Sequence, residues 1–172
     1  MNLLRPPALA FFLCALAACT ADYLPKGESS LYRDLARPGA ELDAPAAASV
    51  VSGYRTNHGL DAVTLDPVLM KLAEAQASAM AKRNKLDHSV IKPFNARIRE
   101  SGFDAKAAAE NIGAGYGTIA EAFSGWRESS AHNANMLLRG ATRMGIAAVY
   151  APNTRYKVFW SLILAAPDDR KG

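Results

Sequence analysis

Both cysteines of the 172-residue chain lie near its start, at Cys14 and Cys19. Everything after Cys19 must therefore fold without a disulfide, a thiolate ligand or a cysteine nucleophile, and its stability has to come from packing. Half of the residues are hydrophobic. That is enough apolar surface for one domain of this length and excludes wholesale disorder.

The N-terminal stretch is processing signal rather than fold. Arg5 precedes an apolar run, Ala8 to Ala18, that stops at Cys19. The run is shorter than the roughly 20 residues a membrane span needs and has the proportions of a secretory h-region. Leu16-Ala17-Ala18-Cys19 resembles the lipobox of bacterial lipoproteins, which predicts a signal peptide over 1–18 and lipidation of Cys19 as the new N-terminus. Thr20, and not an aspartate, follows the cysteine. This favours a lipid anchor in the outer membrane, with the protein facing the periplasm of the cell envelope. From 19 to 45 the chain carries Pro25, Pro38 and Pro45 and no sustained periodicity, which predicts a lipid-anchored flexible tether. The domain is expected over 46–166, followed by a polar tail, 167–172.

The net charge of +4 falls to +3 once Arg5 is removed. Its basic residues cluster in Lys82-Arg83-Asn84-Lys85 and between Lys92 and Arg99. They read first as a solvated helix end and turn, and secondly as attraction to anionic lipid or cell-wall polymer. No basic stripe interleaved with aromatics is present, so nucleic acid is not an expected partner.

Helical signals dominate the first two thirds of the domain. Ala46 to Asn57 suits a helix ended by His58-Gly59. Asp66-Pro67 pairs a capping carboxylate with a proline at the first helical position, opening a helix to about Lys85 with Leu69, Ala73, Gln76 or Ala77, and Met80 inward. A short helix is expected over Pro93 to Ser101, closed by Gly102. Another is capped by Thr118 and runs to about Glu128, burying Ala122, Phe123 and Trp126; a last one is capped by Ser130 and reaches Leu138. Two strand-like stretches, Arg143 to Tyr150 and Tyr156 to Ala165, close the chain through a hairpin loop. The order predicts an α+β domain with helices covering an antiparallel sheet.

Three histidines carry the candidate chemistry: His58, His88 and His132. His58 sits in a helix-ending turn and reads as a cap. His88 and His132, with Glu110 ahead of the glycine-rich Gly113 to Gly117, form a two-imidazole, one-carboxylate set of the kind zinc uses. Asn111, Asn133 and Asn135 are polar neighbours in sequence. The chain has no His-Glu-x-x-His, Gly-x-Ser-x-Gly or P-loop motif.

Four blocks in register resemble the CAP superfamily (cysteine-rich secretory proteins, antigen 5 and pathogenesis-related-1) in its disulfide-free bacterial form. They are Leu86-Asp87-His88-Ser89, Ala109-Glu110-Asn111-Ile112, Trp126 through Leu137, and Phe159-Trp160. The resemblance spans Ala46 to Ala165. It implies a three-layer α-β-α sandwich with a central antiparallel sheet and a surface cleft. In many members a His-Glu-Glu-His tetrad lines that cleft and binds a divalent metal. His88, Glu110 and His132 match three of the four positions, whereas Ser129 stands where the second glutamate is usual. Glu128 and Glu121 are nearby carboxylates that do not match.

The resulting expectation is a non-catalytic binding module for a lipid, peptide or cell-wall-derived ligand. Its cleft would be lined by His88, Glu110, His132, Asn111, Asn133 and Asn135. One alternative is a metal-dependent, peptidase-like hydrolase, in which His88, His132 and Glu110 hold zinc or another divalent ion and Glu110 serves as ligand or base. A second alternative treats the triad as a polar network that pins helices to the sheet.

Overall fold

The computed structural model describes residues 29–168. The signal peptide, Cys19, the first part of the tether and the end of the polar tail lie outside the described residues. The sheet has four strands in the order β1-β3-β4-β2: β1 (Thr64–Leu65), β2 (Ala105–Ala114), β3 (Arg143–Ala151) and β4 (Lys157–Pro167). β3 and β2 both pair antiparallel with β4, while the two-residue β1 runs parallel to the start of β3.

Helices cover both faces. On one side lie α1 (Ala44–Thr56), α4 (Ile119–Glu128) and α5 (Ser130–Met136); on the other lie α2 (Pro67–Arg83) and α3 (Phe94–Glu100). β4 divides the core by its two-residue alternation. Val158, Trp160, Leu162 and Leu164 pack under α1, α4 and α5, whereas Phe159, Ile163 and Ala165 pack under α2, α3 and the loop after α2. The small residues of α2 bring its backbone close to the sheet. Gly145 of β3 leaves no room for a Cβ, because one built there meets the Leu69 carbonyl and the Met70 nitrogen.

The expected helices form with small shifts at their ends. Asp66 caps α2 by accepting from the Val68 and Leu69 amides (2.8 and 3.0 Å). Asp43 caps α1, which therefore begins two residues before Ala46 and takes Pro45 into its first turn. Ser129, not Ser130, occupies the cap position of α5, and its side chain makes no capping hydrogen bond. Two strands escaped the sequence reading, β1 and the ten-residue β2. Part of the 19–45 segment expected as a tether packs on the domain instead. Leu35 is buried and its amide donates to the Gly117 carbonyl (2.7 Å), with Leu31, Ala36, Ala40 and Leu42 against the same core.

One buried charge holds the C-terminal side of α5. Arg55, fully buried on α1, donates to the carbonyls of Asp61 (2.9 Å), Met136 (2.8 Å), Leu138 (3.0 Å) and Ala141 (2.7 Å). These carbonyls belong to irregular backbone that has no ladder partner, so the guanidinium does for them what a sheet or helix does elsewhere. Arg55→Met should lower stability in urea denaturation by about 3 kcal/mol or more, because several buried acceptors lose their donor together. A loss below about 1 kcal/mol would mean that water replaces the guanidinium there.

Candidate functional site

The site is built on β2, whose pairing with β4 sends successive side chains to opposite faces of the sheet. Glu110 lies opposite Ile163 and faces the α2 and α3 layer; Asn111 lies opposite Leu162 and faces α5. Two neighbouring polar residues therefore serve two different layers.

Glu110 is the centre of the α3 side. Its side chain is 1% exposed, so its charge requires partners. Arg97 Nη2 donates to both carboxylate oxygens at 2.9 Å. His88 Nδ1 donates to Oε2 at 2.9 Å, and Ser161 Oγ donates to Oε1 at 3.3 Å. Arg97 is itself buried, packs over the Phe94 ring (5.2 Å), and ties down the preceding loop through Nε to the Lys92 carbonyl (3.2 Å) and Nη2 to the His88 carbonyl (3.1 Å). Gln76 of α2 grips the same loop, donating to the Asp87 carbonyl at 2.8 Å. The His88 ring is thus fixed on one edge and half exposed on the other. Because Nδ1 donates to the carboxylate, Nε2 is the ring nitrogen left on the exposed edge.

The α5 side is a set of amide clamps. Asn111 Nδ2 donates to the His132 carbonyl (2.9 Å), and Asn135 Nδ2 donates to Asn111 Oδ1 (2.9 Å) and the Glu110 carbonyl (3.1 Å). These bonds hold the first turns of α5 on β2. The His132 imidazole is held below the ordinary histidine range, first by burial and then by the electrostatic effect of His88. His88 and Glu110 therefore meet through their side chains, and Asn111 and Asn135 reach the His132 and Glu110 carbonyls. Asn133 does not join them: its Oδ1 accepts from the Tyr54 hydroxyl (2.8 Å), on the side of α5 that meets α1. His58 caps α1 through Nδ1 and the Tyr54 carbonyl (2.8 Å), as expected from its turn.

Neither nearby carboxylate completes a metal set. Glu128 is exposed beside Arg127, and Glu121 accepts from the Gly117 amide (2.6 Å) at the start of α4. Among the described residues, no group of three or more His, Cys, Asp or Glu side chains is arranged to hold a metal ion. Both oxygens of Glu110 are already held by cationic or polar donors, so the residues do not fit a resident zinc. Arg97 is the functional residue that sequence reasoning missed. It lies in the basic stretch Lys92 to Arg99, and its signal would have been an arginine whose helical neighbours Phe94 and Ile98 are apolar.

An apolar hollow of about 240 Å³ lies away from this cluster, along β3, lined by Leu42, Met70, Lys71, Glu74, Ile146 and Val149 among others. Its lining includes none of His88, Glu110 and His132.

The fold and the site together define a three-layer α-β-α domain with a histidine–carboxylate cluster on its central sheet. The chain belongs to the CAP (cysteine-rich secretory protein) family, whose model matches residues 48–164. Among solved structures, an outer surface protein of Borrelia burgdorferi matches with a TM-score of 0.65 at 15% identity, covering 76% of this chain and 99% of that one. An extracellular SCP-domain protein from Bacillus anthracis matches with a TM-score of 0.61 at 20% identity, covering 70% of this chain but 39% of that one. The venom allergen-like protein 4 of Schistosoma mansoni matches at 0.54 and 16% identity, covering 73% and 88%. At these identities the likeness shows the shared fold, and the bacterial relatives are extracellular or surface proteins. No curated protein sequence matches the chain.

Two measurements check the site. Arg97→Met strands a buried carboxylate and should cost about 3–5 kcal/mol, whereas the same change in a Glu110→Gln background should cost at least about 2 kcal/mol less in a double-mutant cycle. His132 has a folded pKa below its unfolded value. Its contribution is complete above pH 6.5, the ordinary histidine value, and is lost as pH falls through the lowered folded value. Melting temperatures of the wild type should therefore fall on acidification below that point, and His132→Gln should flatten the decline.

Proposed function

We propose that the chain is an envelope-anchored CAP-domain lipoprotein. Cys19 carries the lipid, and the protein faces the periplasm from the outer membrane. Its domain is a binding module for a lipid, peptide or cell-wall-derived ligand at the rim formed by His88 and His132. The observation that carries a binding role over a hydrolytic one is the state of Glu110. A general base or metal ligand needs an available lone pair facing substrate or ion, and this carboxylate is buried under Arg97, His88 and Ser161. What the site offers a ligand is a pair of imidazoles, His88 half exposed and His132 held below the ordinary histidine range by burial. Imidazole nitrogens form hydrogen bonds with hydroxyl, amide or phosphate groups. The surface location of the bacterial relatives supports the address.

A second reading, the polar network alone, is favoured by the number of bonds that Glu110, Arg97, Asn111 and Asn135 devote to the fold. The two readings part at the exposed edge of His88. Native mass spectrometry of the protein purified from its own membranes should show a bound envelope molecule that is lost in His88→Ala at unchanged melting temperature. Ligand-free protein in every preparation, with a large drop in melting temperature for His88→Ala, would leave the network reading alone. Zinc titration should show no tight single site; a site abolished by both His88→Ala and His132→Ala would overturn the assignment of Glu110 as neutralised by arginine.

A further inference from the structure

The loop that follows α2, residues 84–92, is the most unusual part of the surface. Three large hydrophobic residues are exposed among the described residues, Tyr32, Leu86 and Ile91, and two of them lie in this loop. Their exposure is imposed. Gln76 holds the Asp87 carbonyl, Arg97 holds the His88 and Lys92 carbonyls, and Arg83 Nη1 donates to the Val90 carbonyl. Val90 is buried while its neighbour Ile91 is 44% exposed, and Leu86 is 45% exposed. A loop fixed by four side-chain bonds to its backbone cannot turn these two residues inward.

Lys82, Arg83, Lys85 and Lys92 flank them along the chain, all exposed. Asp87 is the single acid of the segment, and it is occupied by Lys85 (2.7 Å) and the Ser89 amide (2.8 Å). The segment 82–92 thus carries +3 of charge and two outward aliphatic side chains, and Lys92 also reaches the exposed Glu100 of α3 (2.7 Å).

We infer that this loop docks on an anionic lipid bilayer, with Leu86 and Ile91 entering the headgroup boundary and Lys82, Arg83, Lys85 and Lys92 meeting headgroup phosphates. The pairing of isolated aliphatic side chains with flanking exposed cations matches an interface that is apolar below and negative above. A protein partner of comparable affinity would need a larger apolar face than two residues provide. A purely charged polymer would give Leu86 and Ile91 nothing to bury in. His88 lies within the same loop, so docking would hold the rim of the site at the lipid surface. The inference does not depend on what the rim binds or on the lipid at Cys19.

The full chain reconstituted in phosphatidylcholine vesicles, with and without phosphatidylglycerol, provides the test. Exposed lysines are labelled with an amine-reactive reagent and read by mass spectrometry. Labelling of Lys82, Lys85 and Lys92 should fall about fivefold or more when the anionic lipid is present, since each surface cation gains that order of affinity. Lys71 and Lys157 should be unchanged, and high salt should restore labelling. Leu86→Ser with Ile91→Ser should abolish the protection; both residues are exposed, so circular dichroism should be unaltered, and Lys82→Glu with Lys85→Glu provides a second variant. Equal labelling in the two vesicle types overturns the inference. So does protection that survives loss of Leu86 and Ile91, because charge attraction alone would then account for it.

Discussion

Strand β4 has protein on both of its faces and on both of its edges. From Val158 to Ala166 every residue is buried, and the alternation along it supplies the inner wall of both helical layers. Such a strand can be apolar throughout because it has no solvent side. Its one buried polar residue, Ser161, lies beside the one buried carboxylate of β2 and donates to it. β4 also explains why β2 is a strand at all. Ala105–Ala114 is rich in alanine and ends in glycine and alanine, a composition with little preference for extended backbone. Nine register pairs with β4 hold it there. The position of Glu110, and hence of the whole site, is inherited from that pairing.

Two buried arginines work on opposite sides of this sheet by the same physical means. Arg55 binds four carbonyls between α1 and the end of α5, and Arg97 binds two carbonyls of the loop after α2. A guanidinium has five donors in a fixed plane, which suits irregular backbone better than a lysine point charge does. They differ in what offsets the cost of burying the charge. Arg97 has a carboxylate, while Arg55 relies on carbonyl dipoles and on the charge of Asp61, whose carbonyl it also holds. Because the loop carrying His88 is held by the same guanidinium that neutralises Glu110, the geometry of the rim and the electrostatics of the site cannot be altered independently.

Much of this was legible in the residues. The Asp66-Pro67 start, the Thr118 cap and the glycine stops at Gly59 and Gly102 were readable because capping chemistry is local. The last two strands were readable from β-branched and aromatic runs. β2 was not, since alanine carries no periodic signal. The clue lay elsewhere, in the unbroken apolar run of β4, which demands a neighbour on each edge. Asn133 and Asn135 are two residues apart on a seven-residue helix, and which one turns toward β2 is set by how α5 docks, not by sequence spacing. His88, Glu110 and His132 were found through four blocks in register. That Arg97 completes the cluster was hidden, because an arginine in a basic stretch looks like surface until its burial is known.

The long reach of the stabilising contacts has a consequence for how the chain is made. Arg55 meets Ala141 across 86 positions, Tyr54 meets Asn133 across 79, and β1 meets the start of β3 across a similar gap. Both main pairings of the sheet require β4, the last element of the chain. Few of these contacts exist while the C-terminus is still unsynthesised, so the loop-closure entropy is met only at the end. A domain built this way gains stable tertiary structure only once β4 is available to pair, so its folding is expected to be late and cooperative rather than progressive along the sequence.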